Sequence, residues 1–460
     1  MSATLPPRPR RSSVATPTDG WKPNRITVKD TRFATGIAFL AWVFAVYDFI
    51  LFGTLLPEIS ATYGWSTSTA TAIATWVSVG TFVVALLLGP VVDRIGRRRG
   101  MMVTLAGTAI ASGATAATMN PGYLVGVRSV AGLGYSEQAI NAAYLNEIYD
   151  VTEDEAIKRH RGFVYSLVQG GWPIGVLLAA LLTSIFLPVV GWRGCFLIAV
   201  FPAVVIVILR RKMKESPQFQ VQHRARRLRQ EGHTEEAGAL LVEHGLAAEA
   251  PQAPFRAIFS RGYARNTVFL AIAFFLNWFG TQTFSVLGTT VLTEGKDVTF
   301  NNALIILILS NAVGFAGYVF HGWVGDRLGR RNTIAVGWVL GGIAFALMCT
   351  VAEGTVAVVT LFSLGLFFQI GPYSALLFFM ADCFSTGSRA TGTTFINSLG
   401  QIGAVVAGVI ITRMLTAGAD ITTAALVVGA VGTLVSGLVM FGCTKEGAGL
   451  REAQVRAAAR

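Results

Sequence analysis

Long apolar runs, each of about 20 residues or more, follow one another along most of the chain and constrain its fold more than any other feature. They begin near Phe33, Ala70, Gly100, Pro121, Gly162, Trp192, Ala264, Asn301, Asn332, Gly354, Ala390 and Ile421. A run of that length crosses a bilayer as an α-helix. Inside lipid every backbone polar group must be satisfied within the structure, which argues for helices over strands. The expected fold is an all-α polytopic membrane protein with twelve transmembrane helices. Charged residues make up 13% of the 460, against about 25% in soluble domains.

The net charge of +12 could point to nucleic acid, but its placement argues otherwise. With this segmentation, 33 of the 37 Lys and Arg residues fall on one side of the bilayer. Only Arg193, Lys296 and Arg413 lie in the opposite loops, and Arg128 lies within a span. By the positive-inside rule both termini are cytoplasmic, in a multi-pass protein of the plasma membrane. Residues 1–32 are basic, polar and Pro-containing, and read as a disordered cytoplasmic tail. The apolar run after them is too long for a cleaved signal peptide. Cys195, Cys349, Cys383 and Cys443 show neither pairing nor metal spacing, so neither a disulfide framework nor a metal site is expected. No nucleotide loop or nucleophile triad appears at recognisable spacing, so neither an enzyme nor a cofactor is expected.

Internal repetition orders the spans. "GPVVDRIGRRR" at Gly89 returns as "GWVGDRLGRR" at Gly322, and "IAFLAW" at Ile37 returns as "IAFFLNW" at Ile272. "YDFILFGT" parallels "QTFSVLGT", and "YLNE" ending at Glu147 parallels "FMAD" ending at Asp382. The offsets lie between about 230 and 235, which predicts two six-helix bundles in parallel repeat, residues 33–211 and 264–443. A charged, partly amphipathic cytoplasmic linker with short helices, 212–263, joins them, and a cytoplasmic tail, 444–460, follows.

With "DRIGRRR" after the second span and "DRLGRR" after the eighth, the chain resembles the major facilitator superfamily along nearly its whole length. "RSVAGLGYSEQAINAAYLNE", "GWRGCFLIAVFPAVVIVILRRKMKESPQF" and "FRAIFSRGYARNT" are similar to the organic-acid and metabolite:proton symporters of that superfamily. The fourth helix of those families commonly reads R-x-x-x-G-x-G-x-G-G-E; here Tyr135 and Ser136 replace the two glycines before Glu137.

Asp48 stands near the middle of "AWVFAVYDFILFGTLLPE". It lies nine residues before Pro57, about 13 Å from the outer end of an outward-running helix, and Arg128 lies about 10 Å into an inward-running one. A lone charge in hydrocarbon costs several kcal/mol, so the two are expected to pair; the resemblance implies the same pair. Desolvation raises a carboxylate's affinity for a proton and a neighbouring guanidinium lowers it. A site whose solvation and pairing alternate can therefore carry a proton across. Arg does not release its proton, which leaves Asp48 as the titrating partner; a permanent structural ion pair is the other reading. Glu137, on the opposite face of its helix and nearer the cytoplasm, is either a second protonation site or a buried structural acid. His321 is expected to anchor a loop.

On the repeat alignment Asp48 corresponds to Thr283, so the C-terminal half lacks these interior charges and is expected to offer neutral recognition. Its polar candidates are Asn277, Gln282, Thr283, Asn311, Gln369, Tyr373, Asn397 and Gln401, joined by Tyr47, Arg128, Gln169 and Trp172 from the N-terminal half. Each could equally be an interhelical hydrogen bond. Asp93, Arg97, Arg98 and Glu147, with Asp326, Arg330, Arg331 and Asp382, are placed to form a charged latch over the cytoplasmic face; setting topology is the plainer reading of some of these arginines. The expected function is proton-coupled symport of a small organic anion by alternating access, by a functional monomer whose partners are its substrate, protons and the bilayer. A sugar or polyol symporter, an efflux antiporter for amphipathic compounds and a non-transporting sensor are the alternatives.

Overall fold

The computed structural model describes residues 21–159, 161–246, 255–260, 262–384 and 389–445. Most of the two expected tails, and the side chains of Asp93 and Arg389, lie outside the described residues. Thr27 starts the first helix earlier than expected. Its hydroxyl accepts from the Asp30 amide while Asp30 accepts from the Thr27 amide, a reciprocal cap that extends the helix back to Val28.

The N-terminal helices are α1 (Val28–Tyr63), α2 (Thr67–Ile95), α3 (Arg97–Thr115), α4 (Pro121–Ala131), α5 (Glu137–Val151), α6 (Glu155–Arg159), α7 (Arg161–Gln169) and α8 (Gly171–Arg210). The linker folds as α9 (Pro217–Gln230) and α10 (Thr234–Glu243). The C-terminal helices are α11 (Ala264–Gly280), α12 (Gly288–Gly295), α13 (Phe300–Leu328), α14 (Arg330–Thr350), α15 (Gly354–Ile370), α16 (Tyr373–Asp382), α17 (Arg389–Thr416), α18 (Ile421–Ala424) and α19 (Val431–Met440). There is no strand among the described residues, and nine helical stretches are long and apolar enough to cross a membrane.

Three breaks matter for function. A 3₁₀ turn over Gly132–Gly134 separates α4 from α5, where a Cβ on Gly132 would sit 2.5 Å from the Thr81 hydroxyl. A π-helical turn, Thr281–Val286, follows α11; such turns recur at functional sites. Gly191, at φ 65°, interrupts α8 with a conformation that L side chains rarely adopt. Gly96 (φ 100°) and Gly329 (φ 89°) make the α2–α3 and α13–α14 corners, in the left-handed region that suits glycine.

The N- and C-terminal helices meet closely at the end remote from the termini. Thr289 donates to the Gly53 carbonyl at 2.8 Å, and Thr67 bonds Glu294. A Cβ on Gly53 would stand 2.0 Å from the Val286 carbonyl oxygen, so glycine permits this backbone contact. Towards the termini the two sets part around a wide space lined by Leu167, Tyr318, Trp323, Arg330 and Phe378. The linker is clamped to the N-terminal helices: Lys214 pairs with Asp30 at 2.7 Å, and Arg98 donates through its amide to Glu215 at 3.2 Å. The linker's own small core unites Val221, Leu228, Leu240 and Leu241, with Trp21 packed on it.

Candidate functional site

A narrow cleft, with about 30 Å³ of free space between its walls, lies between the two sets of helices. Its walls are chiefly aromatic. Trp42 of α1, Tyr135 of the α4–α5 break and Trp172 of α8 face Phe274 and Trp278 of α11 and Tyr373 of α16. Ring centroids lie 5.9 Å apart for Tyr135 and Trp278 and 6.4 Å for Trp172 and Trp278, both edge to face, so rings from the two sides close over one another. Trp42 lies 6.0 Å from Trp172.

Amides interrupt the rings. Gln138 donates to Gln169 at 2.9 Å and Gln169 donates to the Tyr165 hydroxyl at 2.7 Å. Tyr373 donates to Asn277 Oδ1 at 2.7 Å, which leaves Asn277 Nδ2 without a partner. Trp42 Nε1 and Trp278 Nε1 are likewise buried without a hydrogen-bond partner among the described residues, as is one acceptor, Gln369 Oε1, while the Gln401 amide lies against the Tyr135 hydroxyl. Buried polar atoms are nearly always paired. Three orphaned N–H donors on residues in or beside one cleft, two of them on its tryptophan walls, match a ligand that accepts hydrogen bonds.

Of the residues expected at a binding site, Gln169, Trp172, Tyr373 and Asn397 line the cleft. Asn277 and Gln369 stand directly behind it, bridged by Gln369 Nε2 to the Asn277 carbonyl at 3.4 Å. Thr283 bonds back to the Phe279 carbonyl at 2.7 Å and Asn311 to Leu307 at 2.9 Å, the local pairing that buried polar side chains adopt inside helices. Gln282 is buried in the π-helical turn, and Tyr47 packs against Phe44; neither lines the cleft. Trp42, Tyr135, Phe274 and Trp278 were not anticipated as lining. Their signal was present: Trp42 and Trp278 end the repeated "IAFLAW" and "IAFFLNW", and Tyr135 is the departure from glycine in the fourth span.

Asp48 and Arg128 meet inside the N-terminal helices, behind α1 and away from the cleft. Arg128 Nη2 lies 3.2 Å from Asp48 Oδ2 and 2.8 Å from the Asp48 carbonyl oxygen. Ser112 donates to the other carboxylate oxygen and is itself 3.3 Å from Arg128 Nη1. The guanidinium lies between the rings of Phe52 and Phe196, 5.8 and 5.2 Å from their centroids. Asp48 is 4% exposed and Arg128 3%, so the pair is dry.

Arg128 is not the sole interior cation, contrary to the expectation that counted Arg210 with the cytoplasmic loop. Arg210, wholly buried, binds both oxygens of Glu137 and donates to the Met101 carbonyl at 2.6 Å. Asn141 and Thr104 complete the network. Arg210 closes the last turn of α8, where an apolar run meets a basic one, and sequence position alone does not say on which side of that boundary its side chain turns. His321 is corrected too: its Nδ1 faces the Gly317 carbonyl at 2.8 Å, and its ring packs among Phe320, Phe367 and Phe368, so it anchors no loop.

The charged corners form pairs within each set of helices. Arg97 lies 3.3 Å from Glu147, which also accepts from Ser216 of the linker. Arg98 donates to the Met213 carbonyl at 3.2 Å. Arg330 bridges Asp382 at 2.6 Å and Asp326 at 3.2 Å, whereas Arg331 turns to Asn332 and the Cys443 carbonyl.

An all-helical membrane protein that closes two sets of helices round one central cleft has the architecture of a carrier. The chain belongs to the Major Facilitator Superfamily, whose family model matches residues 37–408. It is 25% identical over 400 residues to a niacin transporter of Acinetobacter baylyi, covering 82% of this chain and 86% of that protein. It is 27% identical over 382 residues to a gentisate transporter of Corynebacterium glutamicum, covering 80% and 78% respectively. The fold matches a crystal structure of a D-xylose-proton symporter with a TM-score of 0.65 at 18% identity, over 89% of this chain and 97% of that one. The protein is therefore a membrane transporter and not an enzyme.

Proposed function

We propose that the protein is a proton-coupled symporter of a small aromatic carboxylate, working by alternating access. The single observation that carries this reading is the set of orphaned N–H donors beside a ring-walled cleft. Rings accept a planar ring face to edge, and N–H groups accept a carboxylate. The niacin and gentisate transporters that the chain resembles point the same way. A sugar would call for acceptors as well as donors, and the unpartnered amide and indole groups at the cleft are three donors to one carbonyl. An efflux antiporter would share the aromatic walls but not the amide donors.

The membrane reading is twelve helices in two repeats. The nine apolar stretches are supplemented by α3, by the broken α4–α5 pair and by a division of Leu167–Arg210 at Gly191. The end carrying the termini is cytoplasmic, so the cleft is closed outward and widens inward. Asp48 carries the proton, while Glu137, held by its own guanidinium, braces the α4–α5 break. The protein acts as a monomer in the plasma membrane.

Proteoliposomes with an imposed proton gradient test the assignment. Benzoate-like acids are expected to accumulate and to leak out on adding a protonophore, whereas xylose and aliphatic dicarboxylates are not taken up. Trp42→Phe and Trp278→Phe keep a ring and delete one donor. Each is expected to raise the half-saturation concentration for the acid roughly tenfold, the worth of one hydrogen bond to a charge. The neutral carboxamide of the same ring, which accepts only a weaker neutral hydrogen bond, should lose less affinity in the variants than the acid does. Equal half-saturation for the acid in wild type and variants would remove the carboxylate from these donors.

In this reading the corner pairs do not latch one half to the other; each stiffens its own half so that the halves rock as bodies. Glu147→Gln and Asp382→Asn should loosen the cytoplasmic end and speed alkylation of a cysteine placed at Leu167, with substrate preference unchanged. Unaltered labelling and turnover in both would leave these residues with topology alone.

A further inference from the structure

Away from the cleft, a concavity of about 440 Å³ lies between the α2–α3 corner and linker helix α9. Five arginines line it: Arg94, Arg98 and Arg99 from the corner, Arg224 and Arg227 from the linker. Glu215 is on the wall, engaged by the amides of Arg98 and Ser216, while Arg227 also pairs with Glu231 at 2.9 Å and Arg98 Nη1 donates to the Met213 carbonyl; positive charge remains in excess. Arg98 Nε is buried without a hydrogen-bond partner, and no ion pair is recorded for Arg94 or Arg99 among the described residues. Topology requires positive charge at this end, but it does not require five guanidinium groups, contributed by two separate segments, to converge on one hollow. Like charges so placed repel, and a multiply charged anion held there would relieve that repulsion and join corner to linker.

We infer that this hollow is a binding site for a phosphate group, whose tetrahedral oxygens suit several planar N–H forks at once. The phosphate can belong to a soluble diphosphate or to the headgroup of an anionic lipid, since the corner follows directly on the end of the α2 span. The site is separate from the transported substrate, so its test does not depend on transport.

The full chain in phosphatidylcholine nanodiscs is titrated with inorganic pyrophosphate, against potassium chloride at matched ionic strength, and its thermal midpoint is followed. A second preparation contains phosphatidylglycerol as well. For a soluble ligand, pyrophosphate raises the midpoint in both preparations. For a headgroup, phosphatidylglycerol raises it and blunts the pyrophosphate response. In either case the Arg99→Gln, Arg227→Gln double variant, which leaves the corner pairs in place, should need roughly tenfold more anion for the same shift. Its unliganded midpoint serves as the check on folding. No shift with either anion beyond matched chloride, or an undiminished shift in the double variant, would overturn the site.

Discussion

Asp48→Asn is expected to abolish proton-driven accumulation while exchange of labelled for unlabelled substrate continues. The carboxylate is buried, touches Arg128 and Ser112 and has no contact with the cleft, so its loss removes the proton carrier and leaves the walls of the binding site intact. Asparagine keeps the shape and an oxygen for the guanidinium, which limits the structural damage to a charge left without its counter-ion. The cost of breaking such a pair is about 3–5 kcal/mol, part of which the Asp48 carbonyl and the two flanking rings offset. The measurement is a pair of assays on the same proteoliposomes: net uptake against a gradient, and counterflow without one. Wild-type accumulation in Asp48→Asn would remove this residue from coupling. Loss of both activities, with a normal thermal midpoint, would assign it to the transport cycle itself and not to coupling alone. Arg128→Lys is expected to fail in parallel, because an ammonium cannot contact Asp48 Oδ2, its carbonyl and Ser112 together as the guanidinium does.

Arg210→Leu is expected to have the largest effect on stability. It leaves Glu137, which is fully buried, with only Thr104 as a neighbouring donor among the described contacts. An uncompensated buried charge destabilises by about 3–5 kcal/mol, read as a sharply lowered thermal midpoint in detergent. Adding Glu137→Gln should restore much of the loss, since replacing both partners removes the unpaired charge. Glu137 lies between Tyr135 and Gln138, both on the cleft, and Arg210 leads into the segment that binds Arg98 and Glu147. The rescued double variant should therefore fold yet transport slowly. A rescued variant with wild-type turnover would reduce the pair to a packing element, and an Arg210→Leu midpoint equal to wild type would refute the charge argument.

Much of this molecule was legible before folding. The length of the apolar runs dictates helices, because lipid leaves the backbone no other way to satisfy its hydrogen bonds. The rarity of interior charge singles out Asp48 and Arg128, since each is costly alone and matched helix depths leave them for one another. The turn glycines Gly96 and Gly329 announce their corners. Tertiary structure decided which polar residues face the cleft. Thr283 and Asn311 satisfy themselves on their own helices, while Trp42 and Trp278 leave their N–H groups free. Sequence separation does not encode that difference: a helical side chain's environment depends on the rotation of its helix against neighbours far along the chain. The same holds for Arg210. Its place at the end of a span permits a loop role or a buried one, and Glu137, 73 positions away, draws it inward. Local physics sets the element and its ends; packing between distant elements sets what each face sees.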